Sequence, residues 1–519
     1  MKQKRRDRAT LVMLIGSITF VLVVFFWWKL QLALTRYFDA DEYAYLHWAY
    51  NVFSGKLPYR DFFFYVPPGF LWVLAPLFAF FHGVTAFIAG RVLAFVIFCA
   101  LSLVTGLLFW EVRRSWVALL APLLLVFLPL PSDKFLEIRP DTLAMLLATL
   151  GLTFQVRGIR GKKIAVWFFS GVFYGLSLLV LPKTLPQVAV AVLVAIGWGI
   201  WVPRSGISLR EKKKGKNILP FFIGILVPIG MLGLWSLFLR DIGLVWYSIT
   251  SLPAVVGQET AKMFPMQPDL FFYPNDTYYG ETGWSAGLFV NHVVWIIGLT
   301  MGAVRLLTPW LGPSVAPQGA AMAGKGESWS EFLIAGSFFA HVIFFFWIYP
   351  LRHAQYLIPI AVFVSFYAAD AVDIVWAKAK RNSISFIMGI TSIIILLGTL
   401  YKTFLLVNSP KLVWTNKAAL ANIENIHKTI PFDQYLLDLD GRTLYYKDPY
   451  YICCLPFGEF VPFMKPKPSS VISYLEKTQT LYIYEGDLLR VNTLSIDEKN
   501  YIRAHFVPDP NIAGLLERM

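Results

Sequence analysis

The sequence predicts an all-α polytopic membrane protein of about eleven spanning helices, followed by a small external α/β domain. Of its 519 residues, 57% are hydrophobic and only 15% charged, with a mean hydropathy of +0.58; a soluble chain of this size carries far more charge. Apolar runs of about 20 residues, enough to cross a hydrocarbon core, recur from Thr10 to Leu406. Lys and Arg gather on alternate connections. The net charge of +14 therefore orients helices across a bilayer and does not call for nucleic acid.

The basic start, with Lys2, Lys4, Arg5, Arg6 and Arg8, predicts a cytoplasmic N-terminus and a retained signal-anchor helix running outward to about Leu30. Residues 31–83 are then external. Within them, Asp41–Phe53 reads as a helix lying on the membrane, with acids in its first turn. A second interfacial helix starts at Pro67-Pro68 and ends near His82-Gly83. An ordinary spanning helix in its place would invert every later loop and put the basic ones outside. Helix two covers about Thr85 to Trp110 and turns at Arg113-Arg114; helix three reaches Pro131. Helix four descends to Arg157 and Lys163, and the next pair, Ile164–Leu181 and Leu185–Val202, turns outside at Lys183.

Beyond the basic loop Arg204–Lys216, helix seven ends near Arg240. An outer loop then spans about Asp241 to Gly283 and contains the acceptor sequon Asn275-Asp276-Thr277. Helix eight returns inward to a Gly/Pro/Ala linker, Thr308–Ser328. Helices nine, ten and eleven follow, with Arg352-His353 at the outer turn between nine and ten, and helix eleven covering Ile384–Leu406. The reading divides the chain into a membrane domain, 1–407, and an external domain, 408–519, in which TLYIYEG at 480–486 marks a short strand. Three cysteines carry little: Cys99 lies in an apolar helix. Cys453 and Cys454 are adjacent, a poor geometry for an ordinary disulfide, and no disulfide framework is expected.

The side chains able to do chemistry collect on the external side: Asp39, Asp41, Glu42, Arg60, Asp61, Asp133, Glu137, Arg139, Asp141, Lys183, Arg352 and His353. The spans themselves are nearly free of ionisable groups, Arg91 and His341 being the main exceptions. Ion-coupled transporters place acids or bases near mid-bilayer, so the pattern favours catalysis at the outer interface. Asp41, at a helix start, is the candidate general base, weighed against a plain helix-dipole role. Glu42 supports it or is solvated. Asp141 follows Arg139-Pro140 and either caps helix four or joins Asp41 across a cleft. Asp133 and Glu137 read as solvated loop acids. Arg352, His353, Arg139 and Lys183 are candidates to grip an anionic head group. His353 has no partner at metal-ligand spacing, and no Gly-rich phosphate loop, nucleophile elbow or zinc motif is present.

The stretch DADEYAYLHWAYNVFSGKLPYRDFFFYVPPG, then EIRPDTLAMLLATL, then LRHAQYLIPI, over about residues 10–400, resembles the GT-C membrane glycosyltransferases, in particular the protein O-mannosyltransferase and aminoarabinose-transferase superfamily. The resemblance implies a GT-C fold and transfer of a sugar from a polyprenyl-phosphate donor at the outer face of the plasma or inner membrane. It gives Asp41 the role of base and Glu42 a supporting place at the acceptor site, and carries the acid after helix three to Asp141. It makes Arg352, with Tyr356 and Pro359, the donor-phosphate contact, and adds Arg60 from the first loop. The expected partners are that donor, a glycan, lipid or protein acceptor, and the bilayer. No MIR-like insertion or carbohydrate-binding repeat is present, which turns expectation from protein mannosylation toward a cell-envelope glycan or lipid. No cofactor is expected; Asp41 and Asp141 would hold a divalent ion only if they converge. The competing reading is a transporter or flippase of lipid-linked sugars, which would line its path with polar groups through the bilayer.

Overall fold

The computed structural model describes residues 2–161, 163–201, 218–263, 286–308, 325–350, 354–379, 383–454, 460–486 and 488–519. Arg352, His353, the Asn275 sequon and most of the 204–216 and 308–328 connections lie outside these residues. Among the described residues, nine helices are long and apolar enough to cross a membrane, beginning with Thr10–Thr35 and ending with Ile384–Val413. Trp116–Phe127 and Ile164–Val180 are shorter apolar helices at the places of two further expected spans. The third, Trp116–Phe127, stops short because Leu128 leaves helical geometry before Pro129. The expected outer loop after helix seven is helical in its first part, Ile242–Trp246 and Leu252–Met263. Helices Ile164–Val180 and Leu219–Phe238 approach through glycine: a Cβ on Gly171 would lie 2.0 Å from the Phe221 carbonyl oxygen. Small residues of this kind let membrane helices bring their backbones together.

Four elements position the site. Helix α1 (Lys2–Thr35) delivers the chain to the first loop. Helix α2 (Ala40–Phe53) begins behind Asp39. Helix α3 (Gly69–Leu74) continues as a 3₁₀ turn through Ala79, a segment too short to span. Helix α4 (Thr85–Arg113) then crosses the bilayer. The sequence placed α2 on the membrane surface. Within the protein most of its faces, from Glu42 to Ala49, are buried against the bundle and the C-terminal region.

That region departs at Asn408. Tyr37 N–H donates to the Trp414 carbonyl at 3.0 Å and Asn416 N–H to that of Thr35 at 2.8 Å, tying the chain back to the end of α1. A four-stranded sheet follows, of β1 (Leu436–Asp438), β2 (Tyr482–Tyr484), β3 (Phe506–Pro508) and β4 (Leu515–Arg518). Its order is β1-β2-β4-β3, with β1 and β2 parallel and the other pairs antiparallel. The loop after β1 covers α2. Gly441, at φ +80°, lies where a Cβ would meet Cys454 and His47, and Tyr445 packs edge-on to Tyr50 at 4.8 Å. Cys453 and Cys454 are joined as a disulfide, against the sequence expectation. The bond between neighbours is accommodated by a left-handed Cys454, φ +71°, which no residue spacing reveals.

A second buried charge cluster sits at the opposite end of α4. Arg113 donates to Asp370 at 2.7 and 3.0 Å and pairs with Glu331, while Arg305 donates to Asp370 at 2.7 and 2.9 Å. The sequence reading missed it because each partner comes from a different helix.

Candidate active site

Local sequence sets the start of the site. Asp39 caps α2 by accepting from the Asp41 N–H at 3.1 Å, and Glu42, three residues on, accepts from the Asp39 N–H at 2.9 Å. This reciprocal capping box satisfies donors that a helix start otherwise leaves open. It turns Glu42 inward and leaves Asp41 on the free side of the first turn. Glu42 is fully buried and bidentate with the equally buried Arg91 of α4. It also accepts from Ile138 N–H at 2.9 Å. Arg91 spends its remaining donors on the carbonyls of Ala33 at 3.1 Å and Tyr37 at 2.8 Å, and lies over the Phe38 ring. The pair therefore joins α1, α2, α4 and the 138 segment.

Asp133 and Glu137, expected to be solvated, are buried. Glu137 receives Lys134 at 2.9 and 3.0 Å and Arg36 at 3.2 Å; Asp133 receives Lys411 at 2.7 Å. Burial alone would raise the Asp133 carboxyl, but the charges of Lys411, Arg36 and Lys29 outweigh it and hold the group well below the usual carboxylate range. Asp39 is likewise held low, burial being overcome by Lys134 and Arg139. Lys134, three residues before Glu137, and Arg36, Lys411 and Arg139 from other parts of the chain satisfy these acids.

Arg139 stands at the centre. It occupies the N-cap of helix Pro140–Arg160 in extended conformation, which aims its side chain back toward α2. Its guanidinium is 9% exposed, contacts Asp41, and lies 3.7 Å from Glu137, 3.7 Å from Asp141 and 3.9 Å from Asp39. Lys183, from the turn before Leu185–Trp201, donates to Asp141 at 2.8 Å and sits 3.8 Å above the Tyr356 ring. Tyr349 donates to the Lys183 carbonyl at 3.1 Å. One chain of contacts thus brings together Asp41, Glu42, Asp141, Arg139, Lys183 and Tyr356. Arg60 is not among them: it is 54% exposed and paired with its neighbour Asp61 at 2.8 Å. Arg352 and His353 lie outside the described residues. The sequence reading passed over Arg36, Lys134 and Arg91 as site components. The Asp39-x-x-Glu42 spacing was the available signal for the capping box; the basic partners had none.

Asp41 and Asp141 are linked through Arg139, a cation already occupying the place between their carboxylates. Among the described residues, the one grouping of three possible metal ligands is His47, Cys453 and Cys454. It does not fit an ion. The sulfurs are bonded to each other, and the imidazole is occupied on both sides, by the Leu444 carbonyl at 2.9 Å and Asp448 at 2.8 Å.

That imidazole clasps α2 to the C-terminal loop. With an acceptor on each ring nitrogen, His47 donates twice and is imidazolium. Burial alone would lower its pKa, but the charge and hydrogen bond of Asp448 raise it above its ordinary value, against a smaller opposing pull from Lys56. Asp448 is correspondingly lowered: burial opposes, and His47, Lys56 and Asn51 prevail. A raised His contributes stability that is complete below about pH 6.5 and is lost as pH rises through its folded value. A lowered Asp contributes stability that is present above about pH 4 and is lost as pH falls through its folded value. Between these limits the clasp holds. Amide exchange in segment 441–451 is expected to accelerate when pH is raised from 6 to 9, after correction for intrinsic exchange, and His47→Gln should abolish that response. An unchanged pH response in the variant would remove His47 as its cause.

No protein-family profile and no curated protein sequence matches the chain. Solved structures do. ArnT from Cupriavidus metallidurans bound to undecaprenyl phosphate superposes with a TM-score of 0.54 at 13% identity, covering 93% of this chain and 95% of that one. The same protein in the apo state gives 0.52 at 14% identity, covering 94% and 95%. The oligosaccharyltransferase from Archaeoglobus fulgidus tethered with an acceptor peptide gives 0.51 at 12% identity, covering 90% of this chain and 68% of that one. At these identities the likeness is one of fold.

Proposed function

We infer, from a fold that is the GT-C fold of membrane glycosyltransferases, that this chain moves a sugar from a polyprenyl-phosphate donor to a cell-envelope glycan, lipid or protein acceptor at the outer membrane face. The observation that carries the reading is the pairing of Asp41, on the free side of an anchored helix turn, with Arg139 beside Lys183. A phosphate-linked sugar already has a good leaving group. The reaction needs one base for the acceptor and cations for the departing phosphate, with no acid to protonate it. Asp41 takes the acceptor proton as the acceptor heteroatom bonds to the anomeric carbon. The bond from that carbon to the phosphate oxygen breaks, and its electron pair leaves on polyprenyl phosphate beside Arg139 and Lys183. Tyr356, held under Lys183, flanks the donor, as do Arg352 and His353 in this reading. A single displacement inverts the anomeric configuration. In this reading transfer needs no divalent metal, since Arg139 and Lys183 supply the cations at the departing phosphate.

The test is purified protein incubated with a set of polyprenyl-phosphate sugars and candidate acceptors, with release of polyprenyl phosphate measured with and without a chelator. Chelator-resistant release with inverted product supports the reading. No turnover across the set, with movement of the lipid-linked sugar between leaflets, would replace it with a flippase. The external placement is tested separately: an impermeant thiol probe added outside should label Ser54→Cys but not Lys163→Cys, both positions being exposed.

A further inference from the structure

Arg139 faces four carboxylates, and they differ in what else they hold. Asp141 has Lys183 at 2.8 Å. Asp39 has Lys134 at 3.1 Å. Glu137 has Lys134 and Arg36 at 2.9 and 3.2 Å. Glu42, in the same helix turn, is taken up by Arg91. Asp41 has Arg139 as its one cationic partner among the described residues. Withdrawing Arg139 would leave three of its carboxylates paired and strip the counter-charge from Asp41 alone. The Arg139 Nε is itself buried and makes no hydrogen bond, so this guanidinium is not saturated where it stands.

We propose that Arg139 works as a donor-operated lock on Asp41. In the resting protein it pairs with the carboxylate, and when the donor phosphate arrives its guanidinium turns to the phosphate and releases Asp41. A carboxylate sharing its charge with a guanidinium is a poor proton acceptor. Acceptor deprotonation is thereby made contingent on a bound donor. This rests on the assignment of Asp41 as base to a polyprenyl-phosphate sugar. It goes further by giving that base two states.

The readout is the acidic limb of the pH–rate profile, which reports the free enzyme in kcat/KM and the donor complex in kcat. In the wild-type protein, with saturating acceptor and varied donor, the limb of kcat should lie about 1 to 3 pH units above that of kcat/KM for the donor, the span of a carboxylate gaining or losing one close cation. In Arg139→Gln the two limbs should coincide, and in Arg139→Lys the gap should partly return. A merely structural role for Arg139 would lower activity without changing the separation of the limbs. Coincident limbs in the wild-type protein overturn the lock even if Arg139→Gln proves too unstable to assay, and they leave Asp41 standing as the base. Undiminished transfer by Asp41→Asn would instead overturn the underlying assignment.

Discussion

Asp41→Asn is expected to reduce sugar transfer by about 100- to 10,000-fold, the usual contribution of one positioned general base, while leaving the fold intact. The substitution keeps side-chain shape and removes only the charge. The carboxylate is partly exposed, at 14%, and its neighbour Asp39 provides the helix cap through its own side chain. Thermal unfolding in detergent should therefore shift little. Donor binding should be kept or strengthened, because Arg139 loses the carboxylate that competes with the phosphate for it. The effect belongs in kcat, with the donor KM unchanged or lowered. Turnover near the wild-type rate would remove Asp41 from the mechanism. A large fall in melting temperature would make it a structural acid.

Glu42→Gln is expected to fail in a different way. The Glu42–Arg91 pair is buried completely on both sides, and removing one partner strands the other charge away from water. Broken buried pairs of this kind cost about 3–5 kcal/mol. Glu42→Gln and Arg91→Met should each lower the unfolding temperature strongly. Their combination should recover part of the loss, because an uncompensated charge is no longer buried. The backbone N–H groups of Ile138 and Asp39 rely on the same carboxylate, so recovery stays incomplete; each unsatisfied donor costs about 1–3 kcal/mol. A Glu42→Gln protein of normal stability with abolished transfer would give Glu42 a chemical role in place of this supporting one.

These two acids are neighbours in sequence, and their contrast shows where linear reading stops. The Asp39-x-x-Glu42 spacing is a local property, set by the geometry of one helix turn, and is readable before any fold is known. Which acid turns inward depends on Arg91, 49 residues away from Glu42. Glu137 reads from the sequence as a solvated loop acid. It is buried because Lys134, Arg36 and Arg139 close around it from the same loop, the end of α1 and the next helix. Arg60, assigned to the donor phosphate by resemblance, is exposed and pairs with the adjacent Asp61.

The sequence by itself determined the membrane class and its apolar segments. These follow from hydrocarbon length and from the cost of burying charge, properties of each segment taken alone. Tertiary structure decided which cation each of the neighbouring carboxylates meets. It bound Glu42 to Arg91, gave Asp39 and Glu137 a shared Lys134 and Asp141 its Lys183, and left Asp41 to Arg139. It also brought the C-terminal loop down on α2 through His47 and Asp448. The physical reason is that a hydrogen-bonded ion pair needs direct contact, so most of these partners are set by packing between elements far apart in the chain.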